Sequence, residues 1–210
     1  MVFDGQGHEC PAIVESFGRD STVLRLGSPV VTNRESPLEV HLALGISRGE
    51  RMDLAIQKAV ELGVHRITPL LTEFCVVRLD DEKKEVRLAH WQRVIRSALE
   101  QCGRNWMPEI DAPFVFDDWL DSRERRIPAW VLDPSAPLGF ASLLTQPQEV
   151  TLLIGPEGGL SDSERERAIE SGFEPVRLGP RILRTETAVI AALSAVQTLW
   201  GDLGKSVPNP

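Results

Sequence analysis

The chain has 210 residues, 42% of them hydrophobic, with 23 Lys and Arg against 31 Asp and Glu, a formal net charge of −8. That length suits one large domain, or one with a small companion, and the acidic balance excludes nucleic-acid binding through bulk positive charge, because phosphate neutralisation needs a cationic surface. No run approaches the roughly 18 apolar residues of a membrane span, and MVFDGQGHEC lacks the basic start and apolar run of a secretory signal, so the chain reads as cytosolic with no membrane partner.

The first 37 residues are predicted to form a small β unit. Phe3-Asp-Gly-Gln-Gly7 carries an Asp-Gly turn, Gly18-Arg-Asp-Ser a second, and the segments Pro11–Glu15 and Thr22–Leu26 are short and β-prone. Two or three such strands cannot bury a core alone. The polar stretch Val31–Pro37 reads as a linker. From Leu38 short apolar runs alternate with amphipathic segments: a strand at 38–44, a helix at 50–62 ended by Gly63, and a strand at 66–71 placed at a sheet edge by its proline. A long helix follows at 82–102, closed by Gly103. The remaining elements are a strand at 129–132, a helix at 138–144, a buried strand at 150–154, a helix at 162–171, a strand at 175–178 and a last helix at 186–200. Strand and helix in turn imply an α/β fold, a mostly parallel sheet with helices on both faces. The last helix has no charge from Thr187 to Gly201, so it is apolar nearly all round. Such a helix is buried on more than one side, and a homodimer through this region is the expectation.

Chemistry is narrowed by what is missing. Cys10, Cys75 and Cys102 show no C-x-x-C, and His8, His41, His65 and His90 share no metal-ligand spacing, so neither a disulfide framework nor a metal site is expected. There is no Tyr. Ligands of an open parallel sheet lie at the carboxyl ends of its strands, and three ends are distinctive: Leu132-Asp-Pro134, Leu153-Ile-Gly-Pro-Glu-Gly-Gly-Leu160, and Leu178-Gly-Pro-Arg-Ile-Leu-Arg-Thr-Glu-Thr-Ala188. The middle loop lets backbone approach a flat ligand, and Ser161-Asp-Ser-Glu164 has capping-box spacing. Neither a dinucleotide fingerprint nor a P-loop nor a nucleophile elbow is present, which leaves a cofactor without a dinucleotide or triphosphate. Arg181, Arg184 and Glu186 crowd the third loop. Charges gather at such a place when they are paired or face a ligand, and an Arg184–Glu186 ion pair stiffening the loop is the structural alternative.

IGPEGGLSDSE followed by LGPRILRTETA resembles the paired signature of the RsmE family, the ribosomal small-subunit RNA uridine-N3 methyltransferases of the SPOUT superfamily; RMDLAIQKAVELGV, ITPLLTE and ALEQCGRNWMPEI are similar to its other blocks. The resemblance covers roughly residues 40–203 in order. It implies S-adenosylmethionine held by Leu132, Ile154, Gly155, Gly158, Gly159, Leu178, Gly179, Ile182, Leu183, Thr187 and Ala188. It also implies a C-terminal trefoil knot, a homodimer through the knot, and methylation of N3 of a uridine in 16S ribosomal RNA within the small subunit, in the cytoplasm. The family opens with a longer PUA-like barrel, and this chain starts at what looks like its middle. Residues 1–37 are therefore expected to be a partial PUA-like, RNA-holding unit, and residues 38–210 the methyltransferase domain.

Methyl transfer from a sulfonium is an in-line displacement governed by positioning. The uracil N3 proton must leave, so an anion-stabilising cation is useful, and Arg184 is the candidate; Glu186 or Glu157 would accept the proton or orient Arg184. Gln101, Arg104 and Arg181 are the expected RNA contacts, with Arg123, Arg125 and Arg126 as weaker ones. The rival readings are a SPOUT enzyme acting on another RNA and an inactive homologue that binds cofactor and RNA.

Overall fold

Helices between successive apolar strands carry the chain back along the sheet, so the strands come out parallel. The computed structural model describes residues 1–75, 81–143 and 146–204. Near the N-terminus β1 (Val2–Phe3) pairs β2 (Glu9–Cys10) across the Asp-Gly turn, and β3 (Ala12–Phe17) pairs β4 (Thr22–Leu26), both antiparallel. Then come β5 (Glu39–Gly45), α1 (Glu50–Glu61), β6 (Arg66–Leu71), α2 (Asp81–Cys102), β7 (Glu109–Ile110), β8 (Phe114–Val115) and α3 (Phe116–Ser122). They are followed by β9 (Ala129–Leu132), β10 (Glu149–Ile154), α4 (Asp162–Glu170), β11 (Glu174–Val176) and α5 (Thr185–Leu199). The seven-stranded sheet runs β11-β9-β10-β5-β6-β7, with β8 continuing beside β6, and every pair in it is parallel. The α/β class read from the sequence is the one observed.

One face of this sheet is closed by Met52 and Ile56 of α1, Trp91, Ile95 and Leu99 of α2, and Val189, Leu193 and Val196 of α5. The other is closed by Trp119 of α3 and Ala168 of α4, packed with Phe173 on Ala43, Leu70, Val131 and Leu153. Two expectations fail for local reasons. The strand at 66–71 is interior, because β7 covers Arg66–Ile67 and β8 covers Leu70–Leu71. The Leu70 carbonyl accepts from the Ile46 N–H and the Ile67 carbonyl from the Asp111 N–H, so Pro69 turns toward the break between β7 and β8, where its missing N–H forfeits no ladder bond. The helix expected over 138–144 shrinks to a 3₁₀ turn, Phe140–Ser142, with Leu144 outside the described residues. Pro137 and Gly139 leave room only for a turn that seats Phe140 edge-on to Trp130.

The stretch at 31–37 is irregular but anchored. Thr32 Oγ1 donates to Glu9 at 2.6 Å, and Ser36 Oγ donates at 2.6 Å to Oε1 of the fully buried Gln197, whose Nε2 donates to the Leu62 carbonyl at 3.0 Å. Helix α5 buries Thr185, Val189, Ala192, Leu193, Val196 and Gln197 in its own chain, while Thr187, Thr198 and Leu199 are exposed and Ile190, Ala191, Ser194 and Ala195 are half-buried. Its second apolar side is therefore left uncovered by this chain. Between β11 and α5 the chain crosses back from the sheet edge past the end of β10, where Thr185 Oγ1 donates to the Gly155 carbonyl at 3.4 Å.

Candidate active site

The carboxyl ends of β9, β10 and β11 lie side by side because β9 pairs both of the others. The loops leaving them enclose a cleft of about 320 Å³, within the range of small-ligand sites. From the first strand end come Leu132, Asp133 and Pro134; from the second Ile154 through Leu160; from the third Leu178, Gly179, Arg181, Ile182, Leu183, Thr185 and Ala188. The floor is apolar and the walls are backbone-rich, a composition that fits a flat heteroaromatic ring with a polar tail.

Glycine is required where the walls are thinnest. A Cβ on Gly155 would sit 2.8 Å from the Gly159 carbonyl carbon and 2.9 Å from the Leu160 nitrogen, and one on Gly158 would sit 2.8 Å from Phe74 Cβ. Ser161 then starts α4 with a complete capping box: Glu164 N–H donates to Ser161 Oγ and Ser161 N–H to Glu164 Oε2. Glu164 Oε1 accepts from the Glu73 N–H at 2.8 Å, tying α4 to the end of β6. Asp133, 8% exposed, is occupied by the N–H and hydroxyl of Ser135 at 2.8 and 2.6 Å, with the Arg165 guanidinium 3.7 Å away. Arg165 also lines the cleft, and sequence reasoning missed it. Its spacing of three from Asp162, with which it is ion-paired, is that of an ordinary helix-surface pair and carries no signal of a site.

Of the expected cofactor residues, Leu132, Ile154, Gly155, Gly158, Gly159, Leu178, Gly179, Ile182, Leu183 and Ala188 all line this one cleft. Thr187 does not; it is exposed on the outer side of α5's first turn, because helix geometry turns it away from its lining neighbours Thr185 and Ala188. Arg184 is the N-cap residue of α5, exposed, and flanked by the lining residues Leu183 and Thr185. Among the described residues it has no ion pair, so the Arg184–Glu186 bridge does not form. Glu186 sits in the first turn of α5, where the helix dipole favours a carboxylate, and its Oε2 is buried without a hydrogen-bond partner. Arg181 is exposed on the cleft wall with no partner among the described residues.

Two expected roles are corrected. Glu157 is not a free base. Burial raises its carboxyl, but hydrogen bonds from the Arg48 N–H and from Arg51 outweigh that and hold it below the usual carboxylate range. A carboxylate so held is a weak proton acceptor. Arg104 is not an RNA contact. It is 4% exposed and pairs with Glu35, and its guanidinium also donates to the Val60 and Val64 carbonyls at 2.7 and 3.1 Å. A buried guanidinium with its donors in use has nothing left for phosphate. Arg123 is occupied likewise, donating to the Ser171 and Ile127 carbonyls over the Phe173 ring. Gln101 remains exposed near the end of α2, apart from the cleft.

The amino ends of the strands hold a second cavity, of about 460 Å³, lined by His41, Arg66, Asp111 and residues of the α3 region. Thr68 donates to Asp111, so His41 Nε2, 2.7 Å from Thr68 Oγ1, carries the ring proton and donates. Asp111 in turn accepts from Nε and Nη2 of Arg66, at 2.9 and 2.8 Å. Burial, reinforced by Arg66, pushes the His41 imidazole down to about 4. This is a closed polar chain with partners throughout.

With the geometry in view, the relationships of the chain are informative. A family model described as an RNA methyltransferase domain matches residues 34–197. Ribosomal RNA small subunit methyltransferase E from Buchnera aphidicola subsp. Schizaphis graminum is 46% identical over 176 residues, covering 82% of this chain and 70% of the relative. The chain belongs to the ribosomal RNA small subunit methyltransferase E family. A more distant member, from Bacillus subtilis, is 33% identical over 208 residues, covering 93% of this chain and 81% of that protein. A putative methyltransferase from Legionella pneumophila, solved with its bound cofactor S-adenosylmethionine, superposes with a TM-score of 0.91 at 44% identity over 96% of this chain and 83% of that one. The family member from Neisseria gonorrhoeae, bound to S-adenosylmethionine, gives 0.88 at 37% identity with 96% and 83% covered. As an RNA methyltransferase domain, this chain is an enzyme of the transferase class.

Proposed function

We propose that this protein methylates N3 of a uridine in 16S ribosomal RNA, with S-adenosylmethionine as donor. The carrying observation is the single cleft built from the glycine turn after Ile154 and the arginine-bearing stretch after Leu178, with Arg184 unpaired at its edge. The residues fit the cofactor: a Cβ at Gly155 or Gly158 would close on neighbouring atoms, and apolar side chains from three strand ends face the space between. When bound, S-adenosylmethionine supplies an electrophilic methyl group on a sulfonium.

The chain's own residues do the rest. Leu132, Ile154, Leu178, Ile182, Leu183 and Ala188 exclude water from an adenosyl group, and the glycine turn lets backbone lie against it. Arg184 stabilises negative charge developing on the uracil as the N3 proton leaves. Glu186, whose buried Oε2 has an open acceptor position, takes that proton or orients the base. Arg181, on the cleft wall, holds a neighbouring phosphate, and Gln101 touches RNA further out. Residues 1–37 form the RNA-holding unit and residues 38–210 the catalytic domain. The uncovered apolar side of α5 supports a homodimer through this helix. No described helix is long and apolar enough to cross a membrane, and the small ribosomal subunit as substrate assigns the enzyme to the cytoplasm.

The test is mass spectrometry of nucleosides from small-subunit RNA after incubation with protein and isotopically labelled donor. Label in 3-methyluridine is the expected result. Label in another nucleoside, or in transfer RNA alone, overturns the base assignment; binding of donor without transfer overturns the enzymatic one.

A further inference from the structure

The glycine turn is an unusual piece of backbone to keep in one shape. Three of the five residues from Gly155 to Gly159 are glycine, and glycine loses more conformational freedom on ordering than any other residue. Something outside the turn must hold it. Pro156 lies against Gly45, where a Cβ would come within 2.4 Å of Pro156 Cδ, and Gly158 lies against Phe74. These contacts set distance but not orientation.

The polar attachment comes from Glu157. Its Oε1 accepts from the Arg48 N–H at 3.0 Å and from Arg51 Nη1 at 3.3 Å, across more than a hundred residues of sequence. Arg48 immediately precedes the N-cap of α1 and Arg51 lies in its first turn; the helix opens at Gly49, a residue with no side chain to cap it. A helix start without a capping side chain leaves amides unsatisfied and a partial positive charge exposed. Glu157 brings a carboxylate to that place from another part of the chain.

We propose that Glu157 is a positioning residue: by closing the N-terminal end of α1 together with Arg51, it locks the glycine turn in the form that accepts S-adenosylmethionine. This deepens the proposed function and rests on the cofactor occupying that cleft. The lock runs both ways, since coupling between two sites is reciprocal. Ordering the turn by the cofactor steadies the first turn of α1, and loosening that turn weakens the cofactor. Glu157 is exposed enough for salt to screen the pair, so the effect shrinks at high ionic strength.

Calorimetry with S-adenosylmethionine and hydrogen exchange on the intact protein test this, using Glu157→Gln, Arg51→Ala, the double variant and Arg51→Lys. Each of the first two should weaken cofactor affinity about tenfold, with kcat at saturating cofactor retained and KM raised. The double variant should be no weaker than the worse single one, and Arg51→Lys should recover most of the loss. In the wild type, bound cofactor should slow exchange of the amides at the start of α1, and in Glu157→Gln it should not. Wild-type affinity in both single variants, additive losses in the double, or unchanged α1 protection in Glu157→Gln would each overturn the lock. Absence of binding by the wild type would instead overturn the cofactor assignment itself. Circular dichroism on every variant separates loss of fold from loss of the lock; an unfolded Arg51→Ala leaves Glu157→Gln and Arg51→Lys to decide.

Discussion

The two ends of the same sheet are built on opposite principles. At the amino ends of the strands the interior charges and dipoles are matched: His41 to Thr68, Thr68 to Asp111, Asp111 to Arg66, and Arg104 to Glu35 with the Val60 and Val64 carbonyls. At the carboxyl ends Arg181 and Arg184 have no partner among the described residues, and Glu186 Oε2 is buried without one. Folding alone favours the first arrangement, because an unmatched buried polar group costs stability. Buried side-chain atoms without a partner also occur away from the cleft, at Asp53, Trp91 and Asn105, so what sets the carboxyl end apart is two exposed, unpaired arginines beside an open cleft rather than unmatched groups as such.

That contrast can be broken from either side. The largest effect is expected from Arg104→Ala, which strands Glu35 and two carbonyls and should cost roughly 3–5 kcal/mol in urea unfolding, while cofactor affinity of the folded fraction stays unchanged. Arg184→Ala should do the reverse, cutting methyl transfer roughly 10²–10³-fold with an unaltered unfolding midpoint. Full activity in that variant would remove Arg184 from the reaction.

The histidine at the amino end gives a pH signature. Folded His41 protonates only near pH 4, whereas an unfolded histidine does so near 6.5, so the unfolded chain binds the extra proton between these values. Stability should therefore fall as pH drops from about 6.5 to about 4, by about 3 kcal/mol in all. His41→Asn should flatten thermal unfolding across that window, and an unchanged slope would show that the imidazole is not the sensor. Asp111, whose carboxyl burial raises but Arg66 and Thr68 pull below its usual range, loses its contribution only at lower pH. The smallest effect belongs to Gly158→Ala. Its Cβ would meet Phe74 Cβ at 2.8 Å, and a shift of the turn should weaken cofactor binding about tenfold, or about 1.4 kcal/mol, measurable by calorimetry with the fold intact.

Much of this was legible in the sequence. The strands β5, β6, β9, β10 and β11 and helices α1, α2, α4 and α5 follow apolar runs or periodicity long enough to register, and the glycine turn announces itself by three glycines after a buried strand. The strands β7 and β8 have two residues each, too few for any period, and α3 starts at Phe116 after Val115, whose side chain offers no cap to signal it. The roles of Arg104 and Glu157 were hidden by distance. Their partners Glu35 and Arg51 lie 69 and 106 residues away, and no local pattern separates an arginine that will be buried from one that meets solvent. The tenfold recurrence of expected cofactor residues in one cleft came from the resemblance to the family, whereas the apolar second side of α5 came from charge counting alone.

Gln197 has a consequence for how the molecule is made. Its side chain joins Ser36, before the first strand of the main sheet, to the end of α1, from a position in the last helix. The hydrophobic seam between α1 and α5 thus stays open during synthesis until residue 197 has been polymerised, and the side of α1 that packs on α5 waits without its cover. Such late closure makes for slow maturation and exposure to aggregation, so the newborn polypeptide should depend on chaperones more than its modest size suggests.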